Sequence, residues 1–133
     1  MDLYAQNILD RYKTPFFKDK KIKADLKRHE ANHSCGDAID ISLSTKGGKV
    51  VDYSFTGAGC AISMAAADMM GDLVKGMTED EILKLTKDDI YKMLGIEISM
   101  RRSKCALLGL ITLQNAILAE QKKPLRTWGD YHI

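Results

Sequence analysis

The sequence predicts an α+β fold in which a three-stranded antiparallel sheet carries helices packed on one face. Apolar and polar residues alternate over residues 38–56, and a helical periodicity then replaces this pattern for most of the remaining chain. The chain has 133 residues, of which 45% are hydrophobic and 29% charged. We therefore expect a single domain, residues 1–133, with its own core.

The chain before the sheet divides into a helix and a lysine-rich segment. Residues 2–12 place apolar side chains near one face of a helix, which Thr14-Pro15 ends. Residues 16–28 contain six basic residues interrupted by two aspartates. We interpret this stretch as a solvated, mobile segment that passes into the first strand around residues 24–31.

The second and third strands have the period-two pattern of a half-buried sheet. Gly47-Gly48 forms the turn between them, because glycine tolerates the positive φ that tight hairpins need. The side chains predicted to face the core are Ile39, Ile41, Leu43, Val51, Tyr53 and Phe55.

The rest of the chain is predicted to be helical. Helices are expected over residues 60–75, 78–85, 86–95 and 99–121, the last with one apolar stripe and with Pro124 just beyond its end. Residues 125–133 include Trp128 but show no periodicity. We expect this tail to form a surface strap over the core.

Charge and hydropathy argue against several classes of protein. The formal charge is +2, from 20 basic and 18 acidic residues, so the sequence does not predict a nucleic-acid partner. The longest apolar run, residues 105–111, is far shorter than the ~20 residues that span a bilayer. No signal peptide is visible, and the odd cysteine count argues against a disulfide scaffold. We expect a cytoplasmic protein that does not contact membranes.

Three cysteines are the candidates for chemistry. Cys35 lies in the predicted turn before the second strand, whereas Cys60 and Cys105 lie in the first turns of predicted helices. Helix N-termini carry partial positive charge, so both helical thiols are expected to favour the thiolate. Asp37 can turn its carboxylate toward the same point as Cys35. Three thiolates and one carboxylate are enough ligands for a tetrahedral zinc site or an iron–sulfur cluster.

The same cysteines also fit a metal-free interaction module. Free cysteine is among the most buried residue types, so each thiol can serve as core. In that case, changing each cysteine to serine alters stability but not metal content. Among the histidines, His33 is a candidate outer-shell group beside Cys35, while no role is assigned to His29 or His132.

The chain resembles the iron–sulfur scaffold family of the NifU N-terminal domain, IscU and SufU, from Tyr4 to about Ala119. Three motifs in the family's order carry the resemblance, and each contains a thiol. They read Asn-His-Ser-Cys-Gly-Asp over residues 32–37, Gly-Ala-Gly-Cys-Ala-Ile-Ser-Met-Ala over 57–65, and Arg-Ser-Lys-Cys-Ala over 102–106.

The resemblance implies a scaffold or carrier rather than an enzyme. The implied ligand set is Cys35, Asp37, Cys60 and Cys105, which would hold an iron–sulfur cluster, with [2Fe-2S] favoured, or Zn²⁺. One of the three cysteines would accept persulfide sulfur from a cysteine desulfurase, and the cluster would pass to recipient apo iron–sulfur proteins. The implied state is a monomer or a weak homodimer. The alternative is a zinc-dependent sulfur acceptor similar to SufU.

Four departures from the family pattern bear on this choice. Lys104 stands where IscU proteins carry a histidine ligand, a feature similar to SufU, yet the insertion typical of SufU is absent between Cys60 and Cys105. His33 replaces a proline of the first motif. Residues 97–101 replace the Leu-Pro-Pro-Val-Lys segment that IscU presents to its Hsp70-type chaperone, so that route of cluster release is not expected here.

Overall fold

The computed structural model describes residues 2–133 and confirms the predicted α+β class. Three strands form one antiparallel sheet in the order β1-β2-β3: β1 (Leu26–Asn32), β2 (Asp37–Lys46) and β3 (Lys49–Ala58). The helices are α1 (Leu3–Lys13), α2 (Ala61–Val74), α3 (Glu79–Leu83), α4 (Lys87–Leu94) and α5 (Ser103–Glu120), with 3₁₀ turns at Met100–Arg102 and Trp128–Tyr131.

The helices cover one face of the sheet, as predicted. Helix α5 packs across β1 and β2, α2 packs against β3 and α5, and α1 lies against α2. The opposite face carries exposed polar side chains, among them Lys27, His29 and Asp40. None of the helices in residues 2–133 is long and apolar enough to cross a bilayer.

Helix α5 is more deeply buried than its sequence predicts. Every residue from 105 to 118 is buried, so the expectation of one apolar stripe is wrong. The reason is tertiary: the sheet, α2 and the shorter helices surround α5 on all sides. The helix also begins at Ser103 rather than at Ser99, because residues 100–102 form a 3₁₀ turn.

A β-bulge overturns the prediction for Val51. Ser44 pairs with Asp52 but Thr45 pairs with Val50, which leaves Val51 as the extra residue of β3. The alternation restarts at this point, so Val50 faces the core and Val51 is 44% exposed. The other five residues predicted to face the core are buried, as expected.

The lysine-rich segment is more ordered than predicted. Lys18 forms a parallel bridge with Phe55, in which the Asp19 N–H donates to the Phe55 carbonyl at 2.7 Å. The C-terminal tail crosses the core as the predicted strap. It reaches deeper than expected, because Tyr131 is buried and its hydroxyl donates to the buried Gln114.

One buried carboxylate joins α1, the following loop and α2. Asp68 on α2 is fully buried and accepts a hydrogen bond from Arg11 Nε at 2.5 Å. It also accepts the backbone N–H groups of Phe16 and Phe17 at 2.9 and 2.7 Å. Burying this charge is tolerable because it is paired and hydrogen-bonded on all sides. Arg11 also reaches Asp72, whose side chain is 60% exposed.

We expect Asp68→Ala to lower the free energy of unfolding by about 3–5 kcal/mol, because it removes the buried partner of Arg11 and the acceptor of the Phe16 and Phe17 N–H groups. Asp72→Ala is the matched control on the same arginine. It should cost less than about 1 kcal/mol, since exposed ion pairs contribute little. Urea denaturation of the two variants measures the difference, and equal midpoints would contradict this role for Asp68.

Candidate metal centre

The three cysteines meet at one end of the sheet. Because the strands are antiparallel, β1 ends, β2 begins and β3 ends at the same end of the sheet. The β1–β2 turn places Cys35 there, and the chain leaving β3 places Cys60 there at the start of α2. Helix α5 begins at the same edge and brings Cys105 within 3.6 Å of Cys35, measured between the two sulfurs.

Cys35 is the exposed thiol of the group. It lies in a tight turn in which Gly36, at φ +75°, adopts the left-handed conformation that few other residues tolerate. The side-chain amide of Asn32 donates to the Cys35 sulfur at 2.9 Å. Asn32 is itself buried, so its side-chain amide fixes the position of the Cys35 sulfur.

Asp37 is a buried carboxylate with donors on several sides. It is only 3% exposed, accepts the Ser63 hydroxyl, and accepts the Cys60 backbone N–H at 3.2 Å. Burial alone raises the pKa of Asp37. The hydrogen bonds from Ser63, from the Cys35 and Cys105 thiols and from the Cys60 N–H outweigh burial and hold the pKa below its usual value. The carboxylate is therefore ionised at neutral pH.

Cys60 is the N-cap of α2, a position more often held by an oxygen-bearing side chain. Its sulfur accepts the Ser63 N–H at 3.5 Å and contacts the Ser63 hydroxyl at 3.6 Å. Burial raises the pKa of the Cys60 thiol, but these hydrogen bonds prevail and the pKa is lowered. The shift of the Cys60 pKa is in the direction expected from the sequence, toward the thiolate.

For Cys105 that expectation is wrong. Its residue is 4% exposed, and burial raises the pKa of the thiol well above the ordinary value. The neighbouring Cys35, Cys60 and Asp37 raise the pKa further, since each disfavours another negative charge. In the metal-free protein Cys105 is a thiol, and a bound cation would have to displace its proton.

The ligand atoms of Cys35, Asp37 and Cys105 all lie within 4.8 Å of one another. Cys60 stands beside this group, with its sulfur 3.9 Å from Asp37 Oδ2. Soft thiolates select zinc or iron, and the carboxylate adds a harder donor. The donor chemistry therefore fits a zinc ion or an iron–sulfur cluster.

Gly59 leaves room for the Asp37 carboxylate. A Cβ at this position would lie 2.7 Å from Asp37 Oδ1 and 2.8 Å from Cγ, too close for unstrained contact. The glycine before Cys60 thus permits the close approach of α2 to the start of β2.

Sequence reasoning missed the two side chains that orient this group, Asn32 and Ser63. Asn32 opens the first motif, and Ser63 follows Cys60 at the spacing of a capping interaction, so both positions carried a signal. His33, expected beside the site, is exposed and does not line the cavity described next.

The group opens into a cavity of about 970 Å³. Its walls come from the β1–β2 turn that carries Cys35, from the chain between β3 and α2 that carries Cys60, from α4 and from the chain entering α5. His132, to which the sequence assigned no role, lines it as well. Lys104 also lines the cavity, and its ammonium lies 6.0 Å from the centre of the Trp128 ring.

Comparison with known proteins places this geometry in a family. Residues 3–127 match the model of the NifU-like N-terminal domain. The chain belongs to this family. The zinc-dependent sulfurtransferase SufU of Bacillus subtilis is 32% identical, over 90% of this chain and 92% of its own length.

Two further proteins extend the comparison. The iron–sulfur cluster assembly scaffold protein IscU of Thermotoga maritima is 30% identical over 86% of this chain and 92% of its length. The crystal structure of a NifU-like N-terminal protein from Brucella abortus aligns with a TM-score of 0.70 over 92% of this chain and 96% of that one. Its sequence is 21% identical, so it supports the fold alone.

We expect the metal-free thiols to alkylate with different pH profiles. The thiolate is the reactive form, so iodoacetamide modification of Cys60 should reach its plateau at a lower pH than modification of Cys105. Ser63→Ala removes a hydroxyl that lowers the pKa of Cys60, and should move the Cys60 profile to higher pH. Mass spectrometry after timed alkylation follows each site, and coincident profiles for Cys60 and Cys105 would contradict these assignments.

Proposed function

We propose that this chain is a scaffold that assembles an iron–sulfur cluster from persulfide sulfur and passes it to recipient proteins. One observation carries the proposal: three thiols and a buried carboxylate from three separate segments gather at an open cavity, in a chain of the NifU-like family. The relative named as a scaffold in Thermotoga maritima supports the same function. A cysteine desulfurase and recipient apo proteins are the partners this function requires.

The proposed ligands are Cys35, Asp37, Cys60 and Cys105. The sulfur–sulfur distance of 3.6 Å between Cys35 and Cys105, and the position of the Asp37 carboxylate within 4.8 Å of both sulfurs, support a shared metal. The Cys60 sulfur is close enough to join by a small movement of its own side chain. The cluster is cargo in this proposal, so a mixed set of firm and weaker ligands suits a site that must also release it.

Cys35 is the proposed first acceptor of sulfur, because its residue is exposed at the cavity whereas Cys105 is buried. The Cys35 thiolate attacks the outer sulfur of a donor persulfide R–S–SH. A new sulfur–sulfur bond forms at Cys35, the donor's sulfur–sulfur bond breaks, and R–S⁻ leaves. The proton stays on the transferred sulfur, so atoms and charge balance without an external oxidant or reductant.

The direct test is to purify the full chain anaerobically and measure its visible spectrum, iron, zinc and acid-labile sulfide. The scaffold proposal expects a coloured protein, as isolated or after reconstitution with iron and sulfide, that passes its cluster to an apo ferredoxin. Cys35→Ser, Cys60→Ser and Cys105→Ser should each lose the cluster. A wild-type chain that binds no metal, together with Cys→Ser variants that change stability alone, would favour a metal-free module with core cysteines instead.

A zinc-dependent sulfur acceptor is the second candidate. Lys104 and the similarity to Bacillus subtilis SufU favour it. The same four residues would hold zinc, whose role would be to keep the thiolates ionised and to free one of them by ligand exchange. The Lys104 ammonium would then stabilise the freed thiolate electrostatically. A colourless protein with stoichiometric zinc that never reconstitutes a cluster would decide for this candidate.

We expect Asp37→Ala to prolong the lifetime of a bound cluster and to slow its transfer. The carboxylate is a harder ligand than thiolate and holds sulfide-bridged iron less firmly, so it supplies the weak point through which the cluster leaves. Decay of the visible absorbance, and its transfer to an apo ferredoxin, measure both effects.

Asp40→Ala is the matched control for Asp37→Ala. Asp40 lies on the same strand, and its exposed carboxylate faces His29 at 3.1 Å, away from the sulfurs. This control should leave both rates unchanged. Transfer from the Asp37→Ala variant at the wild-type rate would refute the role proposed for the carboxylate.

A further inference from the structure

The cavity has a strongly basic rim that the proposed ligands do not explain. Four cationic side chains line it: Lys87, Arg101, Arg102 and Lys104. Among the lining residues of the described chain, Asp37 is the only one with a carboxylate side chain, and it is buried. We call the four cations the basic rim.

The positive charge of this rim is concentrated at one place on the chain and forms no ion pair among the described residues. The whole chain has a formal charge of only +2, yet four cations gather at one opening. Across residues 2–133, none of the four forms an ion pair with a carboxylate. The Lys104 ammonium lies 6.0 Å from the centre of the Trp128 ring, an arrangement that leaves its charge in place. An electropositive opening of this kind raises the local concentration of anionic ligands.

The cavity is also larger than a metal centre needs. Ligand bonds to zinc are about 2.0–2.3 Å long, so one ion and its ligand atoms fill a small part of about 970 Å³. Volumes of roughly 300–1,000 Å³ are typical of pockets that bind a drug-sized ligand. The remaining space can admit part of a second molecule beside the exposed Cys35.

One of the residues that line the cavity beside the rim is apolar and exposed. Met100 is 92% exposed and lies in the same 3₁₀ turn as Arg101 and Arg102. A flexible methionine flanked by two arginines offers apolar and charge contacts together, which favours a chain segment over a small ion.

We infer that the basic rim docks an acidic segment of the partner protein that carries the persulfide. This inference rests on the proposed function and adds the chemistry by which the donor is recognised. Carboxylates of the segment would pair with Arg101, Arg102, Lys87 and Lys104, while its persulfide reaches Cys35. Rim charges of this kind act mainly on association rate and on its salt dependence.

Synthetic persulfide peptides test the inference on the zinc-loaded full chain. Three peptides present one cysteine persulfide flanked by aspartate, by serine or by lysine, and mass spectrometry follows persulfide formation on the protein. At low ionic strength we expect the acidic peptide to react about tenfold faster than the neutral one, and the basic peptide to react slowest. The preference should fade in 1 M salt, where the screening length falls to about 3 Å.

Arg101→Glu/Arg102→Glu should abolish the preference for the acidic peptide. Lys46→Glu/Lys123→Glu is the control. It makes the same change in net charge at exposed sites far from the cavity, at the hairpin and beyond the end of α5, and should retain the preference. Zinc content checks that both variants keep the site.

The outcomes separate the two proposals. Equal persulfide formation from all three peptides at low salt overturns the inference and leaves the proposed function standing. Absence of persulfide with every peptide contradicts the proposed function, and the inference with it. If the arginine variant does not fold, the salt dependence of the three peptides on the wild-type chain decides.

Discussion

The site depends on the hydrogen bonds that hold Asp37 at the start of β2. An ionised carboxylate this deeply buried needs donors, and the Ser63 hydroxyl and the Cys60 N–H provide them from the first turn of α2. The same contacts fasten the helix to the sheet edge and bring the Cys60 sulfur to 3.9 Å from the carboxylate. One side chain thus links sheet geometry to thiol placement, and Gly59 makes the close approach possible.

In the metal-free protein the three cysteines already differ, two of them in the pKa of the thiol and the third in its exposure. Hydrogen bonds lower the pKa of Cys60, while burial and three neighbouring acids raise that of Cys105. Exposure separates Cys35 from both. A cation at this point would favour the ionised form of all of them, so metal binding and proton release are coupled. The basic rim lies outside this group and acts on whatever approaches it.

The strands could be predicted because the hydrophobic pattern reports directly which side chains face the core. The bulge at Val51 could not, since one extra residue in a strand leaves no mark in an alternation that is apolar at both Val50 and Val51. The all-round burial of α5 depends on how many elements surround the helix, which is a tertiary property. The Asp68 network was missed for the same reason, because it joins residues more than fifty positions apart.

For the site, the motifs around Cys35, Cys60 and Cys105 indicated the chemistry before the fold was known. The motifs could not indicate the raised pKa of Cys105, because a short sequence motif does not show how deeply a residue is buried. Nor could they indicate the basic rim, since Lys87 lies outside all three motifs and approaches the site only through α4. The sequence motifs predicted which side chains could act as ligands. The packing of the helices against the sheet determined which side chains lie together at the site.

X-ray absorption at the zinc edge of the zinc-loaded chain measures most directly whether these side chains share one metal. Our account predicts a first shell of three sulfurs at about 2.3 Å and one oxygen at about 2.0–2.2 Å. It also predicts that Cys60→Ser removes one sulfur from that shell. A shell with two sulfurs or fewer in the wild-type chain would contradict the account.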